Sequence, residues 1–463
     1  MIAAQELIEQ VLAVSMADDV AVIVSDVSEA SLRWANSSMT TNGSSLYREW
    51  SVVSFIAGTG GVSVGVVDSA SVDAGDIADV VRASEETARA AAPSTEAMPL
   101  VPGEQPDGET DSADWTKPAA TTSIEVFGGL VAPLSAAFDG PDRLFGFAHH
   151  VVRTTWLGTS AGLHRRWVQH TGSIEINGKR DHGTHVASAW AGAGTTDFRD
   201  VDADALLREL DRRLGWARHR VELPAGRYEV ILPPSAAADL MIPLLWSLSG
   251  RSAHEGRSAF SRPGGGTRVG EQIAALPLAL RTDPRAEGIE AIPFVATSSS
   301  SEDVSVFDNG LPIEAVEWIA DGKLAALPYS RAGAAQHVAL PAQAAHNLEL
   351  SGGSEATIED MVRATKRGLL LTCLWYIREV DPATVLLTGL TRDGVYLIED
   401  GEIVGEVNNF RFNESPISLL GRAAEAGASE RTLPREWADW FTRAIMPPLR
   451  IPDFHMSSVS QAT

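Results

Sequence analysis

The sequence predicts an α+β protein of two domains: an N-terminal α/β domain with an antiparallel sheet and helices, and a C-terminal, mostly antiparallel, barrel-like β domain with a few helices. Three observations predict this class. Apolar residues recur every three to four positions near the start, polar and apolar residues alternate between glycine-containing breaks, and two Asp-Gly dipeptides interrupt alternating runs in the second half. The 463 residues, 44% of them hydrophobic, supply enough apolar material for two or three packed domains.

The N-terminal domain is predicted to comprise residues 1–222. Its first element is a helix over residues 3–15, and the apolar run VAVIVSD at 20–26 then indicates a buried strand. Polar and apolar residues alternate between breaks at Asn42-Gly43 and Gly60-Gly61, which predicts a meander of antiparallel strands. The remaining elements, in order, are a helix from about 74 to 91, strands within 143–160 and 162–178, and a helix within 200–220 that has acids in its first turn and closes the domain.

A stretch of different composition lies inside this domain, at about residues 92–120. It is rich in proline and acidic residues and has few large aliphatic side chains. Such a segment cannot bury enough apolar surface to offset the entropy lost on ordering. We therefore expect a mobile acidic loop.

The C-terminal domain is predicted to comprise residues 223–463. It opens with a strand in RYEVILPP and a helix around 235–249, and short strands dominate the rest. Two β-hairpins are predicted to turn at Asp321-Gly322 and Asp400-Gly401, because Asp-Gly readily adopts the positive φ angles of a type I′ turn.

Charge and cysteine content exclude several classes of function. Acidic residues outnumber basic residues by 61 to 37, so the net charge of −24 disfavours a hold on nucleic acid or on an anionic membrane. The single cysteine, Cys373, lies in an apolar run, which predicts a core thiol and excludes an intramolecular disulfide. No secretory signal or membrane-spanning run is evident, and we expect a cytoplasmic protein without a membrane contact.

The string HGTHVA, at residues 182–187, matches the segment that carries the catalytic histidine of subtilisin-like proteases. Such a triad needs an aspartate before the histidine and a serine after it, and neither signature is present in the required order. The flanking alternation instead predicts a β-hairpin with solvent-facing His182 and His185, which would lie on opposite faces if both belonged to one extended strand. A catalytic or metal-binding role for the two histidines is the alternative.

Three segments together resemble the TldD/PmbA family, whose related subunits TldD and TldE form a heterodimeric metallopeptidase. The segments are LRWANSSMTTNG with GVSVGVVD, RYEVILPPSAAADLMIPLLWSLSGRSAHEGRSAF, and TGLTRDGVYLIEDGEIVGEVNNFRFNESP. The third, with its YLIE hairpin, is the most specific. In TldD the second segment carries a zinc-binding HExxxH, and a cysteine before the YLIE-like hairpin completes the zinc site.

The resemblance places non-ligating residues at all of these positions. The HExxxH positions fall on Met241, Ile242 and Trp246, and the cysteine position falls on Arg392, so neither a zinc ligand nor a catalytic base is present. The resemblance therefore implies a non-catalytic, TldE-like subunit without a cofactor of its own. Its partner would be a TldD-like catalytic subunit that holds the zinc, and its substrates would be unfolded or modified peptides. The alternative is a stand-alone, homodimeric module that binds a peptide or protein.

One polar run beside the YLIE hairpin is a candidate for shaping the peptide cavity or the subunit contact. It combines amides, an arginine, a carboxylate and aromatic rings. The alternative is a structural turn in which Asn413 or Ser415 caps the next helix. The candidate residues of the run are Asn409, Arg411, Phe412, Asn413 and Glu414, and Arg392, before the hairpin, joins them because of its position in the resemblance.

Overall fold

The computed structural model describes residues 2–103 and 114–460 of the chain. It confirms the predicted α+β class, with one sheet in the N-terminal part and two sheets in the C-terminal part. Within these described ranges, no helix is both long and apolar enough to cross a membrane.

Six long strands build the N-terminal sheet. They are β1 Asp19–Ala35, β2 Ser38–Gly58, β3 Gly61–Ser69, β4 Arg143–Thr159, β5 His164–Asp181 and β6 Val186–Thr195. The helices of this part are α1 Ala4–Val14, α2 Ile77–Ala90, α3 Gly128–Phe138 and α4 Ala203–Trp216. All neighbouring strands are antiparallel, in the order β3-β2-β1-β4-β5-β6. Helices α1, α2 and α4 confirm the prediction, since each buries the apolar side chains that recur at helical spacing.

The first hairpin turns earlier than the sequence predicts. Strands β1 and β2 are joined through Asn36 and Ser37, whose φ angles of 52° and 56° suit a type I′ turn. The Ser37 hydroxyl donates to the Asp142 carbonyl and accepts from the Leu144 amide, which fixes this corner against β4. The predicted break at Asn42-Gly43 was wrong, because this dipeptide continues the exposed first half of β2.

The C-terminal part contains short strands and helices. The strands are β7 Arg220–Val221, β8 Gly226–Leu232, β9 Ala279–Thr282, β10 Val316–Ala320, β11 Lys323–Leu324, β12 Leu348–Ser351, β13 Arg367–Leu371, β14 Leu374–Asp381, β15 Leu386–Thr391, β16 Val395–Glu399, β17 Glu402–Val407, β18 Phe410–Glu414, β19 Glu425–Ala426, β20 Glu430–Thr432, β21 Ala444–Met446 and β22 Leu449–Val459. The helices are α5 Pro234–Trp246, α6 Gly250–His254, α7 Arg331–His337, α8 Ile358–Ala364 and α9 Pro416–Arg422.

These strands form two sheets. The smaller sheet has the order β11-β10-β9-β12-β21-β20, and the larger has the order β14-β15-β18-β22-β8-β13-β16-β17-β7, with β19 beside β22. Most pairs are antiparallel, and the parallel pairs are β8 with β13, β12 with β21, and β7 with β17. Both predicted Asp-Gly hairpins are confirmed, since Asp321, Gly322, Asp400 and Gly401 all have positive φ.

The two predicted domains share part of their apolar core. Leu210 and Leu214 of α4 belong to the same buried cluster as Ile231, Leu370 and Tyr396 of the large sheet. Strand β7, just before the predicted boundary at residue 222, pairs with β17 of that sheet. The boundary itself stays a prediction.

The acidic segment is anchored at its N-terminal end, within residues 92–103. Leu100 and Val101 are buried, and the Glu96 carboxylate accepts from Arg251 and from the Ser330 hydroxyl. This part of the segment packs, contrary to the expectation from its composition, because the Glu96 carboxylate binds the Arg251 guanidinium and the Ser330 hydroxyl of the C-terminal part. Residues 104–113, at the centre of the predicted mobile loop, lie outside the described residues.

Candidate functional site

The HGTHVA motif forms the predicted β-hairpin, but its histidines do not face solvent. The His182 Nε2 donates to the Leu214 carbonyl at 3.0 Å, and the His185 Nε2 donates to the Ala217 carbonyl at 2.8 Å. Both rings therefore point to the same side, 5.5 Å apart, because the two residues lie in the connection between β5 and β6 rather than in one strand. They satisfy carbonyls at the C-terminal end of α4, where unpaired carbonyls and the helix dipole favour N–H donors.

The four positions that the resemblance predicts to match the zinc ligands and the base hold side chains that do not fit a zinc ion. Met241 and Ile242 are buried within α5, and Trp246 is half exposed at its end. Arg392 is exposed and lies 3.5 Å from the Asp393 carboxylate. A thioether, a hydrocarbon, an indole and a guanidinium offer no zinc-binding set. Across residues 2–103 and 114–460, no group of three or more His, Cys, Asp or Glu side chains is placed to hold a metal ion.

Helix α5 is enclosed by the core and is tied to the segment Arg435–Phe441. Asp239 is fully buried, its Oδ1 accepts the Glu436 amide at 2.9 Å, and its backbone carbonyl accepts the Trp437 indole N–H at 2.9 Å. Burial raises the pKa of Asp239 well above its usual value. Burial likewise raises the pKa of Cys373, which is a core thiol as predicted.

The end of α5 forms one wall of a cleft of about 670 Å³. The Trp246 indole packs edge-on against Trp437 with ring centroids 5.0 Å apart. The cleft therefore has an aromatic wall on one side and a polar wall on the other, the composition expected of a site for an organic ligand. Its lining comprises Pro243, Trp246, Ser247, Ser249, Ser252, Arg257, Ser258, Ser301, Glu302, Asp303, Ile377, Arg378, Glu379, Pro382, Leu387 and Trp437.

Strand β14 borders this cleft and is an end strand of the large sheet. It pairs with β15 on one side, and its pairing is interrupted around Tyr376, which has a φ of 56°. The Tyr376 and Ile377 amides instead donate to the Glu436 carboxylate at 2.8 and 2.9 Å. A strand at a sheet edge, next to a cleft with aromatic side chains, is the kind of element to which an extended peptide can add through backbone groups, here ones other than the Tyr376 and Ile377 amides.

The polar wall is centred on Glu302 and Asp303. Glu302 accepts from Ser249, Ser252 and Arg257, whereas the buried Asp303 Oδ1 has no hydrogen-bond partner among the described residues. Burial raises the pKa of Asp303 to about 7, with a further contribution from the nearby Glu302 charge. Asp303 therefore changes its charge near neutral pH inside the cleft.

We expect Asp303 to lower the stability of the protein as the pH rises. Its pKa is raised on folding from a usual 3.8, so its contribution to stability is fully present below about pH 4 and is lost as the pH rises through about 7. The Asp303→Asn variant should therefore gain melting temperature relative to the parent between pH 4 and pH 7 and hold that gain above pH 7. Thermal unfolding from pH 4 to pH 8.5 measures this. A constant difference between the two proteins would contradict it.

The polar run after the YLIE hairpin forms strand β18 rather than a turn. Phe410 and Phe412 are core residues, and Glu414 is buried, where it accepts from Arg422 and from the His455 amide. Ser415 precedes α9, but its hydroxyl donates to the Thr384 carbonyl instead of capping the helix. The alternation of this run, with Phe410, Phe412 and Glu414 buried and Arg411 and Asn413 more exposed, is a strand signal that the turn interpretation missed.

The candidate residues of this run therefore lie apart from the cleft beside Trp246. The Thr391 hydroxyl donates to the Asn409 side-chain oxygen, Arg411 is exposed and donates to the Thr388 hydroxyl, and Asn413 pairs with Thr388 across the sheet. They are absent from the cleft lining, and so is Arg392. Their role in a peptide cavity or a subunit contact stays a prediction.

Comparison with known proteins supplies a family model and a set of structural neighbours. The model described as the PmbA/TldA metallopeptidase C-terminal domain matches residues 225–458, about half of the chain. No curated protein sequence matches the chain.

Three solved structures share its fold over nearly the whole length. TldE from Thermococcus kodakarensis has 16% identity and a TM-score of 0.75, covering 98% of this chain and 99% of its own. A Thermotoga maritima protein described as a candidate modulator of a DNA gyrase has 14% identity and a TM-score of 0.76, covering 97% and 99%. A Bacteroides thetaiotaomicron protein with a similar description has 14% identity and a TM-score of 0.75, covering 99% and 100%. At these identities the likeness concerns the fold.

Proposed function

The chain belongs to the PmbA/TldD family, and from this premise we propose that it is a non-catalytic, TldE-like subunit of a heterodimeric zinc metallopeptidase that processes unfolded or modified peptides. The observation that carries the proposal is the set of residues at the catalytic positions. Met241, Ile242, Trp246 and Arg392 provide neither zinc ligands nor a base, so hydrolysis by a zinc-bound water has to occur on another subunit.

The cleft beside Trp246 supports a role in holding peptide. An extended peptide placed along β14 would pair with backbone groups and set its side chains against Trp246 and Trp437 on one side and Asp303 on the other. Such recognition is broad in sequence because it depends mainly on the backbone, which suits a subunit that handles unfolded substrates. We further propose a cytoplasmic location, with which a chain of one cysteine is compatible.

The test is co-expression with a TldD-type protein encoded in the same genome, followed by size-exclusion chromatography, zinc analysis and a peptide-cleavage assay. We expect a stable complex, about one zinc ion per heterodimer, and cleavage that neither chain performs alone. The Trp246→Ala variant should still assemble but cleave more slowly, and Val459→Ala, an exposed change outside the cleft, serves as its matched control.

Two outcomes would overturn this proposal. Stoichiometric zinc in the purified single chain would assign the metal to this subunit. A chain that forms a homodimer, binds peptide and leaves the TldD-type protein unaffected would be a stand-alone binding module instead.

A further inference from the structure

A second cleft, of about 410 Å³, contains Arg443, which forms no ion pair with a carboxylate of the described residues. Arg443 lies just before β21, and the Nε donates to the Glu290 carbonyl at 3.1 Å while the Nη2 donates to the Thr171 hydroxyl at 2.8 Å. A guanidinium has five N–H donors, so these two bonds leave three for a ligand. Within the described part of the chain, Arg443 has no carboxylate at ion-pair distance, 4.0 Å or less, and no further hydrogen-bond acceptor.

The surroundings of Arg443 disfavour an isolated cation. Burial lowers the pKa of Arg443 to about 10, and the Glu290 charge offsets only part of that effect. Arg153, which lines the same cleft, is paired with Glu49. In a chain of net charge −24, a half-buried arginine that lacks an anion is most simply explained by an anion that arrives from outside.

The rest of the cleft indicates what that anion carries. Trp167, Ile292 and Trp440 line it beside Arg443, and the Trp440 side chain is 73% exposed. Asp439 is an acidic residue of the lining and is itself exposed, so it contributes its charge through water. Apolar and aromatic surface next to a guanidinium fits a carboxylate attached to a hydrophobic group better than it fits a fully hydrated inorganic anion.

We propose that this cleft binds a carboxylate carried by an apolar group, such as the C-terminal residue of a peptide, with Arg443 as the anchor of the carboxylate. This site is separate from the cleft proposed above to hold the peptide backbone. Trp437 lines the first cleft and Trp440 lines the second, so the two sites border the same short segment of chain. The inference concerns Arg443, Trp440 and the cleft that they line, so it holds whether or not a TldD-type partner is present.

The test is isothermal titration of the purified full chain with N-acetyl-leucine, which has a free carboxylate, and with N-acetyl-leucinamide, which lacks one. We expect saturable binding of the acid and at least tenfold weaker binding of the amide. The Arg443→Met variant should lose the preference for the acid. Because this variant also loses two internal hydrogen bonds, Trp440→Ala provides a second test at an exposed position. It should weaken the binding of N-acetyl-leucine about threefold or more.

Matched controls separate this site from the first cleft and from simple anion binding. Trp246→Ala should leave the binding of N-acetyl-leucine unchanged. Inorganic phosphate should compete only weakly with N-acetyl-leucine for this cleft. Equal affinity for the acid and the amide, full retention of the preference in a folded Arg443→Met variant, or phosphate binding as tight as that of N-acetyl-leucine would each overturn the proposal.

Discussion

Replacing Arg48 by methionine is expected to lower the free energy of unfolding by about 3–5 kcal/mol, because it leaves a buried carboxylate without its cation. Arg48 on β2 is almost fully buried and forms two bonds to the Asp26 carboxylate across the strand pair, at 2.6 and 2.7 Å. Its Nη1 also donates to the Ile2 carbonyl at 2.6 Å, which secures the start of the chain. Urea unfolding followed by circular dichroism measures the loss.

The N-terminal sheet supplies a matched control for this effect. Arg153 and Glu49 form a bond of 2.9 Å on the opposite, solvent-exposed side, and Arg153→Met should cost less than about 1 kcal/mol. The double variant Arg48→Met with Asp26→Leu should recover much of the loss, because the buried charge is then removed as well. If Arg48→Met costs no more than Arg153→Met, the buried pair does not stabilise this sheet.

The elements of this fold were predictable wherever one short stretch determines them. The Asp-Gly hairpins depend on two residues that adopt positive φ, and helices α1 and α4 depend on the spacing of their own apolar residues. The first hairpin was mispredicted because the Asn36-Ser37 turn is held by contacts to residues more than a hundred positions away. Strand β18 was not predicted, because the polar residues of this run were weighed by composition rather than by alternation.

The candidate sites were less predictable, since each assembles from segments that are distant in the sequence. Asp303 follows a serine-rich stretch that resembles a plain loop, and its raised pKa arises from burial beside α6. Arg443 is one arginine among many, and only the fold reveals that no carboxylate of residues 2–103 and 114–460 pairs with it. The family match indicated which positions cannot hold zinc, but it gave no indication of either cleft.

Glu436 is expected to be the residue on which the wall of the first cleft depends most strongly. Its carboxylate accepts the Tyr376 and Ile377 amides and lies 3.1 Å from the Arg378 guanidinium, while its own amide donates to Asp239. It thereby joins the edge strand β14, helix α5 and the segment that carries Trp437. Glu436→Ala would leave the Tyr376 and Ile377 amides without their acceptor, at a cost of about 2–5 kcal/mol, whereas the backbone amide of residue 436 would still donate to Asp239.

The Glu436→Ala substitution should weaken peptide binding by more than its loss of stability alone would. With Glu436→Ala, β14 is released from α5, so we expect affinity for a fluorescein-labelled, unstructured peptide to fall at least tenfold at a temperature where the variant is still folded. Glu379→Ala is the matched control, since this exposed neighbour lines the same cleft and accepts only a weak bond from Ser247 at 3.3 Å. Fluorescence anisotropy with both variants measures the difference.

The isosteric Glu436→Gln variant separates the geometry of this contact from its charge. The glutamine oxygen can accept a hydrogen bond from one of the two β14 amides, but the glutamine NH₂ group is a donor and cannot accept from the other. One hydrogen bond is therefore lost, and two N–H groups face each other. We therefore expect peptide affinity and melting temperature between those of the parent and of Glu436→Ala. If Glu436→Ala binds peptide as tightly as Glu379→Ala does, the edge of β14 is not where the peptide lies, and the aromatic wall alone would have to account for binding.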